Sequence, residues 1–321
     1  MLAFAPLEPF TLLTRRIGVA SICIVCITFL GACTLQPVER EQGASKQSAS
    51  VDALVNVPYA SVLEIAVTQP DQIIAYGTDP SQQIWYYQAN PSVSFKGLVM
   101  LIHGGCWLSQ FDITHTQAMS HALANKGFAV WNIEYRRAGN GGEWPVAIND
   151  IRAAIGTLYS TSAPNLNLSK VTIVGHSAGG HLAMLATKQT HRTSATKDSA
   201  NTQGALNLFK DSQLRIIGLA PIVDIQAYSK GKNSCQKATP AFMGGTLEER
   251  REQYEQASVK HYAFDEEELT ILIGDQDSIV AQEYAVHEDA RTIVVEGAGH
   301  FDWIHPDSVA FKHLLDELNR P

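Results

Sequence analysis

Ser177 stands among glycines in Gly175-His176-Ser177-Ala178-Gly179-Gly180, after the apolar run KVTIV (170–174) and before HLAMLAT. A buried strand that turns into a helix through small residues is the context in which a serine is raised for nucleophilic attack. The turn predicts strained backbone at Ser177, and the helix N-terminus places positive potential where an oxyanion would form. A serine hydroxyl is a poor nucleophile without a base, and the base needs an acid to orient it. Both follow in the order expected after such a turn. LTILI-Gly274-Asp275-Gln276-Asp277 offers two acids past a late apolar run, and Glu296-Gly297-Ala298-Gly299-His300 carries a histidine on a glycine-rich loop. At this point both Asp275 and Asp277 stand as the acid.

An oxyanion needs donors. The run GLVMLI (97–102) ends in His103-Gly104-Gly105-Cys106-Trp107. Main-chain amides of this loop, with the amide of Ala178, are the donors such chemistry uses, and the glycines allow backbone to approach a substrate. His103 reads as a residue that fixes the loop by hydrogen bonding. The other histidines have plainer roles: His176 and His181 flank the serine turn, His115 and His121 fall on a predicted surface helix, and His305 precedes a proline. No group of Cys and His has zinc spacing, and the chemistry calls for no metal or organic cofactor.

These loops need elements to hold them. After a predicted hairpin (IIAYGT, then QQIWYYQA), apolar runs lie at 97–102, 128–133, 170–174, 214–220, 269–273 and 290–295. Continuous runs rich in Val and Ile suit strands covered on both faces. Helical patterns lie between and after them at 115–126, 145–160, 180–189, 246–258 and 306–318. This alternation predicts a mostly parallel sheet with helices on both faces, and ligand sites in such sheets form beyond the carboxyl ends of the strands. Every motif above sits at such an end.

Taken together, HGGCW (103–107), EYRR (134–137), GHSAGGHLA, GDQDSIV and GAGHFDWIHP resemble the α/β-hydrolase family, and within it the kynurenine formamidase-like branch and neighbouring esterases. The resemblance runs from Gly97 to Pro306. It implies the α/β-hydrolase fold with a small or absent cap. It also implies a triad of Ser177 as nucleophile, His300 as base and acid, and Asp277 as orienter, with Asp275 shaping the loop. Gly104, Gly105, Cys106 and Ala178 would surround the oxyanion, and Glu134 with Arg136 would form a structural ion pair. Trp107, Trp144 and Trp303 are candidates for the pocket wall. Lipases carry a third glycine where Cys106 stands. Only AQEYAVHED separates the acid loop from the last strand, which leaves room for one or two helical turns. The segment 235–245 is the candidate cap, and 189–213 is a polar insertion too hydrophilic for a lipase lid.

The remaining sequence speaks to location. Arg15 and Arg16 precede an apolar run, Ile17 to Leu30, of signal-peptide length. It closes on Leu30-Gly31-Ala32-Cys33, which resembles the lipobox of bacterial lipoproteins and implies lipidation at Cys33. The expected organisation is a leader (1–33), a flexible polar tether (34–56) and a catalytic domain (57–321) on the cell envelope, at the outer membrane where there are two. Of five cysteines only Cys106 and Cys235 then remain in the domain, enough for one disulfide, with pairing left open. A net charge of -8 with no basic stripe argues against nucleic acid as a partner. The expected substrate is a small ester or aryl-amide. An exported formamidase is badly placed for a cytoplasmic tryptophan metabolite, which favours the ester. The alternatives are a prolyl-oligopeptidase-like peptidase and a non-catalytic, lipid-anchored binding protein.

Overall fold

The computed structural model describes residues 54–160, 169–188, 213–265 and 268–321. The leader, Cys33, the tether up to residue 53 and the insertion 189–212 lie outside the described residues.

Eight strands form one sheet: β1 (Gln72–Ala75), β2 (Gln83–Tyr87), β3 (Gly97–Ile102), β4 (Phe128–Ile133), β5 (Lys170–His176), β6 (Gln213–Leu219), β7 (Leu269–Gly274) and β8 (Arg291–Val295). Their order is β1-β2-β4-β3-β5-β6-β7-β8. The hairpin β1–β2 joins β4 antiparallel, and every other neighbour is parallel. This is the α/β-hydrolase fold.

Side-chain alternation along the strands builds two cores. Leu98, Met100 and Ile102 of β3 join Trp131, Ile173 and Ile271 on one face. Val99 and Leu101 join Val130, Val174, Ile217 and Leu272 on the other. Each fully buried aliphatic side chain contributes about 1.5–3 kcal/mol, so strands apolar on both faces are held far more strongly than half-buried ones. Helices α3 (Val146–Ser160) and α4 (Ala178–Thr187) cover the first face, and α2 (Gln117–Asn125) covers the second. A short α1 (Tyr59–Leu63) precedes the sheet. After β6 come α5 (Ile225–Tyr228), α6 (Ser234–Met243) and α7 (Arg251–Ala257). One-turn α8 (Gln282–Ala285) fills the short crossover from β7 to β8, and α9 (Val309–Leu318) closes the chain against the second core.

Three expectations need correction. His115 is not on a surface helix: a 3-10 turn, Ile113–Thr116, precedes α2 and tucks its ring edge-on to His103, fully buried. Helix α7 begins at Arg251 rather than 246, because Thr246 and Glu249 form a capped turn first. Leu54–Asn56, read as the end of the tether, already lie on the domain: Leu54 pairs with Ser308, and its carbonyl accepts from Val309 N–H.

Helix α9 is locked below the sheet by a buried carboxylate. Glu317 receives Arg215 of β6, Arg291 of β8, Arg320 and the Thr270 hydroxyl of β7, tying one helix to three strands. Burial by itself would raise its pKa, but bonds from Arg320 and Arg291 outweigh that and hold it below the ordinary range. Glu317→Ala should therefore lower unfolding free energy by about 2–3 kcal/mol, less than the ~3–5 for a fully buried pair because Arg291 and Arg320 are partly solvated. A depressed carboxyl stabilises above its unfolded pKa, near 4.3, and loses that contribution as pH falls through its lower folded value. Urea titrations at neutral and acid pH should show the variant and wild type converging as the pH drops.

Candidate active site

Strand β5 runs directly into α4, with Ser177 between them at φ 55°, ψ -119°. A non-glycine residue there costs about 1–3 kcal/mol and persists only where its surroundings hold it. The Ser177 amide donates to the carbonyl of Leu219, 2.8 Å away, at the end of β6. A Cβ on Gly175 would meet the Gly179 carbonyl oxygen at 2.3 Å, and one on Gly179 would meet the Ile102 oxygen at 2.2 Å. Both positions require glycine because backbone crosses backbone. Ala178 opens α4, so its amide has no intrahelical acceptor.

The loop after β3 packs onto this elbow. A Cβ on Gly104 would stand 3.1 Å from the Ser177 Cβ and 2.9 Å from the His176 oxygen. Gly105, Cys106 and Trp107 then follow one another at positive φ (100°, 54°, 58°). Two of the three are not glycine, so something must hold the turn. Cys106 is disulfide-bonded to Cys235 of α6, and the Trp107 ring stacks on Phe242 of the same helix, centroids 4.8 Å apart. From the other side, Ala138 N–H donates to the Trp107 carbonyl and Ser109 N–H to that of Ala138.

Beneath this loop lies a buried polar network. His103 Nδ1 is 2.9 Å from the Gly104 carbonyl oxygen, and Nε2 is 2.9 Å from Glu134 Oε1. Glu134 also accepts from the amides of Ile113 and Tyr135 and pairs with Arg137. Burial would raise the Glu134 pKa, but His103 and then Arg137 hold it below the ordinary range. The expected Glu134–Arg136 pair does not form. Arg136 instead makes a two-pronged contact with Asp150 on α3, and Arg137 folds back to Glu134 because the chain turns after Tyr135.

The loops that carry the sequence-predicted acid and base meet beyond β7 and β8. His300 Nδ1 lies 2.7 Å from Asp277 Oδ2, while Asp277 Oδ1 accepts from the amides of Ile279 and Val280, each at 2.8 Å. Asp275 lies elsewhere, accepting from Gly297 N–H at 2.7 Å at the foot of the histidine loop. His176 Nε2 donates to the His300 carbonyl, 2.9 Å away, and the two rings are 4.7 Å apart. Burial, then the nearby His300, pushes His176 well below the usual histidine range, so its ring is neutral.

Of the pocket candidates, Trp107 and Trp303 have no accessible surface and belong to opposite cores, while Trp144 is half-buried, edge-on to Phe242. Sequence reading placed no helix at 234–243. Its signals were there: Asn233 and Gln236 form a capping box, and Gly244 ends the helix at φ 71°. The holding role of His176 had no sequence signal, because it depends on a contact 124 residues away.

Residues 85–289 match the BD-FAE family. The chain belongs to that family. The matched span contains the Gly104–Trp107 loop, Ser177 and Asp277, and stops short of His300. Among solved structures the chain is similar to a bifunctional GH43-CE protein of Bacteroides eggerthii (TM-score 0.60, 21% identity). It covers 76% of this chain and only 37% of that one. A truncated carbohydrate esterase from gut microbiota gives TM-score 0.59 at 20% identity, covering 79% of this chain and 96% of that one. Esterase B of Lactobacillus rhamnosis gives 0.57 at 19%, covering 80% and 88%. At these identities the likeness is one of fold. No curated protein matches the sequence.

The disulfide spans 129 residues and fastens the loop beside Ser177. Reduction, or Cys235→Ser, should cost about 2–4 kcal/mol of stability, as cross-links closing long loops do. Denaturant midpoints with and without reductant measure it, and coincident midpoints would count against a role in stability.

Proposed function

We propose that this BD-FAE family chain is a serine hydrolase that cleaves small carboxylic esters through an acyl-enzyme. The observation that carries the reading is the meeting of three loops: the strained elbow at Ser177, the Asp277–His300 pair bonded to that elbow through His176, and the glycine loop, where a Cβ on Gly104 would stand 3.1 Å from that of Ser177. Asp277 fixes the proton on Nδ1 of His300 and leaves Nε2 to act as base. Ser177 Oγ attacks the acyl carbon and gives its proton to Nε2. The carbonyl oxygen takes the negative charge beside the amides of Ala178 and of the Gly104–Cys106 loop. His300 returns the proton to the leaving alcohol, the carbon–oxygen bond breaks, and water repeats the sequence on the acyl-serine. Trp144, half-buried and edge-on to Phe242 of α6, is the pocket candidate that keeps accessible surface.

An ester is favoured over an aryl-formamide by two considerations. Solved structures of similar fold include carbohydrate esterases and an esterase B captured with a tributyrin phosphonate. The leader ending in Cys33 supports a lipid-anchored protein of the cell envelope, and a disulfide suits such an oxidising compartment. The formamidase-like reading is the second one, kept because the HGGCW loop has that form.

The deciding experiment compares kcat/KM for a short-chain aryl ester with that for N-formylkynurenine. Brisk ester turnover with little formamide cleavage is expected, and a large preference for the formamide would replace the ester reading. Ser177→Ala should reduce kcat by about 10⁶-fold and Asp277→Asn by about 10⁴-fold, the latter through the wrong histidine tautomer. A folded wild-type protein that neither turns over an ester nor reacts with a fluorophosphonate would be a binding protein instead.

A further inference from the structure

The glycine-rich loop that carries His300 is held from before by the acid loop, through Asp275 on Gly297 N–H and Gln276 N–H on the Ala298 carbonyl. What holds it from the other side is the first described stretch of the chain, Leu54–Val57. Asp302 is fully buried, and a single oxygen, Oδ2, accepts from Gly299 N–H at 2.9 Å and from Val57 N–H at 3.1 Å. Asn56 sits at φ 50° with its side chain against Gly299, where a Cβ would meet its Oδ1 at 2.3 Å. A Cβ on Gly297 would lie 3.7 Å from the Val55 side chain. Leu54 is fastened beyond the loop, bridged to Ser308, whose hydroxyl donates to the Asp302 carbonyl. Four consecutive residues thus cross the loop from Gly297 to Asp302.

We propose that Leu54–Val57 is a strap that positions His300, with Asp302 as the positioning residue that joins strap to loop. The inference rests on the serine-hydrolase reading above. A loop with two glycines in four residues has several backbone states of similar energy, and Asp277 restrains only the tip of the ring. Fixing Gly299 N–H fixes the backbone that precedes His300, while His176 fixes the carbonyl that follows. The strap's contacts are with the His300 loop and Ser308, so its loss should act first on the base. Burial pushes the Asp302 carboxyl above the ordinary range, and asparagine keeps the oxygen that accepts from Gly299 and Val57.

The test uses the full-length protein with an aryl ester, its sites counted by exhaustive fluorophosphonate labelling. Asp302→Ala should lower kcat per labelled site by about 10-fold or more with KM within about twofold, since a misplacement of 1 Å at a reacting group costs up to about 100-fold. Asp302→Asn should recover most of that loss. Asn56→Gly, which keeps a residue tolerant of positive φ and removes only the side chain over Gly299, should lower kcat about threefold. A purely structural role would reduce the melting temperature and leave kcat per labelled site unchanged. Wild-type kcat per site in Asn56→Gly and in Asp302→Ala overturns the proposal. Where Asp302→Ala does not fold, Asn56→Gly alone decides. A wild-type protein without turnover or labelling removes the hydrolase reading and this one with it, whereas active wild type with equally active variants removes only this one.

Discussion

The rest of the site depends on how closely backbone approaches backbone around Ser177. At Gly175, Gly179 and Gly104 there is no room for a β-carbon, and between them a serine adopts a conformation that an L-residue avoids. Such strain survives only where the surroundings over-determine it. Here the strand before Ser177 is buried, the helix after it is buried along most of its length, and its amide is bonded to the next strand. The elbow's stiffness is the stiffness of the central sheet.

That sheet works as a ruler. Parallel strands about 4.8 Å apart deliver their carboxyl ends to one edge, so loops far apart in sequence arrive side by side. The two flanks of Ser177 are then secured by different means. On the β3–β4 side the glycine loop is fastened covalently by Cys106–Cys235, by stacking of Trp107 on Phe242 and by the His103–Glu134–Arg137 network beneath. On the β7–β8 side the His300 loop is held by hydrogen bonds with Asp277, His176, Asp275 and Asp302 and by burial of Ala298 in the second core. In the proposed chemistry, a donor array for a developing charge benefits from rigidity, and a proton-transferring ring needs only its tautomer and its direction.

Burial also sorts the histidines electrostatically. His115, His176 and His181 lie in dry surroundings that push their pKa values down, so they act as neutral hydrogen-bonding wedges. His103 and His300 are the histidines with a carboxylate partner among the described residues. One lies under the glycine loop and the other against His176, the residue before the serine. Similar carboxylate–imidazole units thus serve support in one place and the proposed chemistry in the other.

The sequence alone determined what is local. Strands apolar on both faces announced a covered parallel sheet, the hairpin pattern announced its antiparallel edge, and Gly-x-Ser-x-Gly between strand and helix announced the elbow, because each reflects steric or burial demands within a few residues. Asp277 could be preferred over Asp275 only by resemblance, since spacing does not say which carboxylate turns toward a histidine 23 residues on. The partner of Glu134 was misassigned by one residue, because the turn after Tyr135 decides which arginine faces inward. The joining of Cys106 to Cys235, the burial of His115 and the reach of Leu54–Val57 across the His300 loop were decided by tertiary structure. Each is a contact between segments far apart in sequence, and such contacts follow from how layers pack rather than from any pattern along the chain.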